Sequence, residues 1–490
     1  MNIRLLRGLS TAYLLIPNLL FFCFWTKPAI AIVGIGILAY LFVNQSGDAG
    51  ISPPTLLRGK DLSYLGAIAL SLTLVSGTAG ICHQVFDHWG HNVKLYELYK
   101  NDWPMTIHDN GPAVSYYYGH YLVPALFSKL IGSLSTGFMF FWTFVGLLLG
   151  IAWLYVVLEK KMAYVLLCLC IGDVPAILKS ALTGIGLPVP SHDSVGLTIW
   201  SLTANLVYAP NQVIPTLLIG GMLVYGLKNR ADIEEMTFPI ALSLWWAVFP
   251  ALISGLLVGI LILRKWLAQK FQLNWPAVVR QVLLPVFACL PVLLLYGSHN
   301  EVPDSGFVWQ FGNSPADTLA EYLTTIGFNF LLFLLTFWAF RKYRPDLPDF
   351  PFYLLLGLLL VFPLYRLGMY NDMLLRGMMP ITLVLGLYLL MPLASEPTYR
   401  AAARLGKRSV LSFAMLFMLL FSAGKAVKIV GRALKENVVT ARIFPDRVAF
   451  KPLPPDRYPN SYEMLLDKYG FQGASEYLGK RDSFYENYVR

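Results

Sequence analysis

Long apolar runs recur along the whole chain, separated by short polar stretches, and most approach the roughly 20 residues that a helix needs to cross a hydrocarbon core of about 30 Å. The runs fall at roughly 11–25, 28–44, 63–82, 137–157, 162–180, 205–227, 238–263, 277–297, 323–340, 352–366, 378–392 and 409–426. A membrane strand would need short segments of alternating hydrophobicity, and these are absent. A continuous apolar run in lipid must satisfy its own backbone, which only a helix does. The expected fold is an all-α polytopic membrane protein with about 12 or 13 transmembrane helices. The run at 238–263 is too long for one ordinary span and carries Pro250 at its middle, so it predicts two short helices in a broken or re-entrant hairpin. The stretch from Tyr116 to Ile131 is apolar but holds a tyrosine run, His120 and Lys129, and predicts an amphipathic helix along the interface rather than a span.

Composition sharpens the class. Hydrophobic residues make up 56% and charged residues 13% of the 490, with a mean hydropathy of +0.58. The formal charge of +10 does not imply nucleic acid here, because in a membrane chain the placement of Lys and Arg matters more than their total. If the 238–263 hairpin returns to the side it left, every basic loop falls on one face: Arg4 and Arg7, Arg58 and Lys60, Lys160 and Lys161, Lys228 and Arg230, Arg264 to Lys270, Arg341 to Arg344, and Arg400 to Arg408. The positive-inside rule makes that face cytoplasmic. The N-terminal segment reads as a retained first helix. The expected organisation is an N-terminal transmembrane hairpin over 1–62, a transmembrane core over 63–426 with an outer loop at 83–136, and an extracytoplasmic tail over 427–490 that docks on the outer loops. The five cysteines lie within or at the ends of apolar segments and show neither a disulfide framework nor zinc spacing.

The loop from His83 to His120 is the polar island of the chain, with five of the seven histidines and the aspartates Asp87, Asp102 and Asp109. Asp87 lies just beyond a span and opens a helical-looking stretch. A carboxylate held at that depth is placed to deprotonate an acceptor hydroxyl facing a lipid-borne substrate; equally, Asp caps helices. Asp109 sits in a turn sequence, Asp109-Asn110-Gly111-Pro112, and is either a turn residue or a second acid or metal ligand. Asp87, His88 and His91 could hold a divalent metal, on a loose pattern. Arg366 and Arg376 bracket a short outer turn with Asn371 and Asp372; they either snorkel to the headgroups or form a fork for a phosphate. Asn205, Tyr208, Asn211 and Gln212 form a polar patch that either binds sugar hydroxyls or satisfies backbone freed by Pro210. No P-loop, dinucleotide fingerprint, zinc-protease or serine-hydrolase motif is present.

A span, an outer loop with Asp87 just past the membrane, an amphipathic stretch from Val93 to Lys100, and the interfacial segment SYYYGHYLVPALFSKLIG together resemble the GT-C class of integral-membrane glycosyltransferases. The SLWWAVFPALISGLL and NDMLLRGMMP segments resemble bacterial relatives of that class. The resemblance implies transfer of a sugar from a polyprenyl-phosphate donor to a glycan or lipid acceptor, on the extracytoplasmic side of a bacterial cytoplasmic membrane. Asp87 would then be the base with Asp109 assisting, and Arg376 and Arg366 would hold the donor phosphate. His88, His108, Tyr117, His120, Asn371 and Asp372 would contact substrate, with no metal site assigned. The alternatives are a transporter or flippase of a lipid-linked glycan, and an outer-face glycan polymerase or ligase. A transporter places ionisable residues inside its spans, and apart from Asp173 the spans hold almost none.

Overall fold

Short polar residues start the helices by accepting the backbone N–H groups that a first turn leaves unpaired. Asn2 accepts from Leu5 N at 2.8 Å to open the helix Ile3–Trp25, and Ser135 accepts from Phe138 N at 3.2 Å to open Thr136–Val157. The computed structural model describes residues 1–45, 57–107, 111–172, 174–187, 195–299, 305–343, 347–368, 371–436, 455–475 and 477–490. The protein is an all-α polytopic membrane protein. Among the described residues, eight helices are long and apolar enough to cross a membrane, or nine if Met162–Cys170 and Val174–Gly184, bent by 78°, count as one span.

Several apolar runs are interrupted where the sequence alone reads them as continuous. The 205–227 run is split at Ala209 into Leu202–Tyr208 and Pro210–Lys228, with Pro210 starting the second helix, where its missing N–H costs nothing. In the 238–263 run the break lies at residues 244–247, between Thr237–Ser243 and Val248–Ala268, and not at Pro250. Pro250 instead lies in the first turn of an unbroken 21-residue helix, where it is tolerated. The break still turns the chain back. Lys265, near the end of Val248–Ala268, meets Asp232 at 2.8 Å and Glu234 at 2.7 Å, and Trp266 Nε1 donates to Glu234 at 3.1 Å. The interfacial segment forms Gly119–Ile131, a 13-residue helix too short to span. Its first N–H, from Gly119, donates to Trp245 O in the break at 3.0 Å, and a Cβ on Gly119 would lie 2.8 Å from that oxygen.

Asp372–Ser395 is the central pillar, with its whole apolar window buried. It packs closely on Pro210–Lys228 because Gly220 admits Leu383, whose Cδ2 would lie 2.5 Å from an added Cβ.

The basic loops are tied to one another by contact. Arg7 pairs with Glu235 at 2.7 Å, Lys228 with Glu159, and Lys160 with Asp61 at 3.4 Å. Lys161 donates to Ala394 O at 2.5 Å, Arg264 lies 3.8 Å over the Phe350 ring, and Arg408 lies 4.7 Å over Tyr343. These contacts put the basic loops at one end of the bundle. At the other end the C-terminal segment lies against the loops: Tyr477 O accepts from Ser115 N at 3.2 Å, Ser298 O accepts from Lys480 N at 2.7 Å, and Tyr485 OH donates to Trp25 O at 2.6 Å.

Candidate active site

Asp87 is the first residue of the helix Asp87–Lys100. Gly90, His91 and Lys94 follow it at three, four and seven residues, so the four share one helix face, and that face lines a cavity of about 330 Å³. The opposite wall comes from the start of Asp372–Ser395 (Asp372, Leu375 and Arg376) and from the Tyr208 to Gln212 turn. Tyr116 and Tyr117 close one side, and Met464, Leu465, Tyr469 and Tyr477 of the C-terminal segment close another. The volume suits a sugar-sized or phosphate-bearing group.

Arg376 is the electrostatic centre. Its Nη2 lies 3.2 Å from Asp87 Oδ2, its Nε 3.5 Å from Asp372 Oδ1, and its Nη1 donates to Asn205 Oδ1 at 3.2 Å. A guanidinium presents a flat fork of donors, and each of its three nitrogens here meets a different acceptor. Burial pushes the Asp87 carboxyl above its ordinary value, and Arg376 pulls against that shift. The Asp87 side chain keeps 22% of its surface exposed, so the group is both perturbed and reachable from the cavity.

Lys94 is held differently. Its ammonium lies 3.8 Å from the Tyr116 ring centroid and 5.2 Å from that of Tyr477, and donates to Tyr477 OH at 3.4 Å. Among the described residues it makes no ion pair within 4 Å. Burial lowers its pKa to about 8, against the pull of Glu97, Asp87 and Asp372. Glu97 itself is spent on Tyr118 OH at 2.9 Å and Ser461 N at 2.5 Å.

Two amides on the wall are under-used. Gln212 Nε2 donates to Tyr117 OH at 2.8 Å, but Gln212 Oε1 and both amide atoms of Asn211 are buried without a partner among the described residues. Buried polar atoms are rarely left unpaired, so these atoms are unusual features of the cavity wall.

No family model, curated protein or solved structure matches the chain.

The structure brings Asp87, Arg376, Asp372 and Tyr117 to one cavity. Arg366 is not among the residues that line it. Tyr365–Arg366 pairs antiparallel with Gly306–Phe307, and the Arg366 guanidinium lies 4.8 Å over Phe311. His88 and His120 are buried and line a separate pocket of about 20 Å³. His88 Nε2 meets Val207 O at 3.1 Å, and burial lowers His88 to about 4 and His120 to about 3, so neither is a cation at neutral pH. His91 uses both ring nitrogens: Nε2 donates to Tyr208 O at 2.7 Å, which leaves Nδ1 to accept from Tyr121 OH. Metal ligation by His88 and His91 would require breaking these bonds, and among the described residues no group of three His, Cys, Asp or Glu side chains converges. Asn371 takes a left-handed conformation (φ 54°) before Asp372–Ser395, as Asn tolerates, and does not line the cavity. His108, Asp109, Asp173, His192 and Asp193 lie outside the described residues.

Lys94 was hidden in the sequence as an ordinary surface charge of an amphipathic helix. Its spacing of seven from Asp87 is the signal that places both on one face. Of the 205–212 polar patch, Asn205 serves Arg376, while Tyr208, Asn211 and Gln212 line the cavity.

Proposed function

We propose that the protein is a membrane glycosyltransferase of GT-C type that takes a sugar from a polyprenyl-phosphate donor. The cavity carries this reading. It joins a reachable, pKa-raised carboxylate to a buried ammonium without an ion-pair partner among the described residues, with unpaired amides and tyrosine faces between them. It lies at the end of the bundle away from the basic loops, which by the positive-inside rule is extracytoplasmic.

In this reading Asp87 takes the proton of the acceptor hydroxyl as that oxygen attacks the anomeric carbon, and the donor's phosphate leaves with the bonding electron pair. Arg376, already engaged by Asp87, Asp372 and Asn205, holds the carboxylate in place. The leaving phosphate is drawn instead to Lys94, whose charge the described carboxylates do not quench directly. Asn211 and Gln212 bond sugar hydroxyls, and the Tyr117 ring, stacked on Tyr116, offers a flat face to the ring C–H groups.

The test is transfer by the purified full chain in lipid nanodiscs, offered a panel of polyprenyl-phosphate sugars with glycan and lipid acceptors. Turnover of one donor supports the reading, and a folded protein that binds and consumes none of them overturns it. The role of Lys94 has its own test. Lys94→Met should raise the KM for the donor by about 10- to 100-fold, the worth of a charged hydrogen bond, with a smaller effect on kcat. In the wild type, donor affinity should fall as pH rises through about 8, because only the ammonium form attracts the phosphate and a sugar phosphodiester does not titrate there. A flat affinity profile between pH 7 and 9.5 would remove Lys94 from this role.

A further inference from the structure

The helix Val410–Leu434 runs for 25 residues, and only 24% of its most apolar window is buried in the protein, so most of its surface faces lipid. It starts at the basic end of the bundle, where the preceding Arg408 lies over Tyr343. Its second half therefore reaches the end that holds the Asp87 cavity. At about 1.5 Å per residue, Lys428 and Arg432 stand about 27 and 33 Å beyond Val410. These positions straddle the far edge of a hydrocarbon core of about 30 Å.

Lys428, Arg432 and Lys435 follow one another at four and three residues, the spacing that puts side chains on one helix face. All three are exposed, and among the described residues none makes a side-chain hydrogen bond or an ion pair. Glu436, the carboxylate of the same turn, bonds none of them, and its Oε2 is buried without a partner among the described residues. Val427 and Leu434, 69% and 58% exposed, lie two turns apart and form an apolar edge beside the basic stripe. The side opposite the stripe, with Ala426 and Ala433, is buried, and the helix packs against Leu202–Tyr208. One side thus holds to the protein, one meets acyl chains and one offers cations, which is the profile of a helix at a headgroup layer.

The spread of the charges says which headgroup they fit. A single snorkelling cation meets the phosphate of any phospholipid. Three cations spaced along about 10 Å of one helix face also repel the ammonium of a zwitterionic headgroup, so they select for net negative charge. The stripe also lies beside the candidate active site. The charge of Arg432 acts on Tyr208, which lines the Asp87 cavity, and on His83, whose Nε2 is buried without a partner among the described residues. We propose that Lys428, Arg432 and Lys435 hold the headgroup phosphate of an anionic phospholipid in the leaflet at the Asp87 end of the bundle. The surface faces lipid, and the proposal stands whether or not the protein transfers sugars.

The experiment puts the full chain in phosphatidylcholine nanodiscs doped with photoreactive phosphatidylglycerol or photoreactive phosphatidylcholine, each carrying the same acyl-chain diazirine next to the glycerol. Labelled peptides are mapped by mass spectrometry, and labelling of Gly424–Leu434 is normalised to Pro28–Gln45, a lipid-facing helix without a charged residue. In the wild type, phosphatidylglycerol should label the stripe about fivefold or more above phosphatidylcholine, the preference that one surface cation already gives. The triple variant Lys428→Gln, Arg432→Gln, Lys435→Gln should lose that excess, while Arg400→Gln, Arg404→Gln, Lys407→Gln at the other end should keep it. Equal labelling by the two lipids in the wild type overturns the proposal, a result that does not depend on any variant folding. So does an excess that survives in the first triple variant. If unlabelled polyprenyl phosphate abolishes the excess and the same amount of unlabelled phosphatidylglycerol does not, the phospholipid assignment is overturned in favour of the polyprenyl carrier.

Discussion

Asp87→Asn is expected to slow sugar transfer by about 10²- to 10⁴-fold, the usual worth of a positioned general base, with donor affinity little changed. The substitution keeps the shape of the side chain and an oxygen that can accept from Arg376 Nη2, now 3.2 Å from Asp87 Oδ2. It removes only the ability to take a proton. Arg376 stays in place because Asp372 and Asn205 hold its other two edges. The wild-type pH profile should carry the same signature. Burial raises the Asp87 carboxyl, so activity should fall on the acid side at a pH above the ordinary value of an aspartate, where the base becomes protonated. On the alkaline side kcat/KM should fall above about pH 8 as Lys94 loses its proton. Single-turnover transfer measured across pH checks both limbs, and the acid limb should vanish in Asp87→Asn. A variant that transfers within a few-fold of the wild-type rate would take the base role away from Asp87.

Arg376→Leu should be the most damaging single change to stability. It strands the carboxylates of Asp87 and Asp372 and the Oδ1 of Asn205, all of which Arg376 now serves. Removing one partner of a buried ion pair costs about 3–5 kcal/mol, because the remaining charge stays desolvated. The stranded carboxylates of Asp87 and Asp372 keep 22% and 34% of their side chains exposed, so solvent should hold the loss to the lower end of that range or below. Neutralising the stranded groups should return part of the loss, so the triple variant Arg376→Leu, Asp87→Asn, Asp372→Asn should unfold later than Arg376→Leu alone. Arg376→Lys should fall between wild type and Arg376→Leu, since one ammonium nitrogen cannot replace three guanidinium nitrogens that each meet a different acceptor. Unfolding midpoints in detergent, compared at one protein-to-detergent ratio, decide the order. An Arg376→Leu midpoint equal to wild type would mean that the ion pairs contribute nothing to the fold.

The helical membrane class and the one-sided basic loops could both be read from the sequence, for a shared reason. Transfer of an apolar run into lipid is a local free energy, summed residue by residue, and the placement of Lys and Arg between runs is equally local. The ion pairs that join Arg7 to Glu235 and Lys265 to Asp232 sit at the end that those positions predict. Helix breaks are less local. Pro250 looked like the interruption of its segment, yet the chain bends at 244–247, because Trp245 is buried there and its carbonyl receives the Gly119 N–H from a helix more than a hundred residues away.

The cavity depended wholly on tertiary packing. Asp87 and Arg376 were separately visible as polar residues at membrane ends, but Arg366 looked as plausible a partner as Arg376 until the helices were placed. Asp372–Ser395 puts the Arg376 guanidinium on Asp87, while the pairing of Tyr365–Arg366 with Gly306–Phe307 carries Arg366 elsewhere. The spacing of Lys94 from Asp87 put both on one helix face, but its burial became visible only when Tyr116 and Tyr477 were seen to cover it, and Tyr477 comes from a C-terminal segment with no apolar run to announce it. Hydropathy thus determined the helical membrane class and which end of the bundle is basic, though among the described residues eight or nine helices, fewer than the 12 or 13 expected, are long and apolar enough to span. Which side chains share a site was left to the packing of helices distant in sequence, because charge pairing and burial act through space, and no local pattern encodes them.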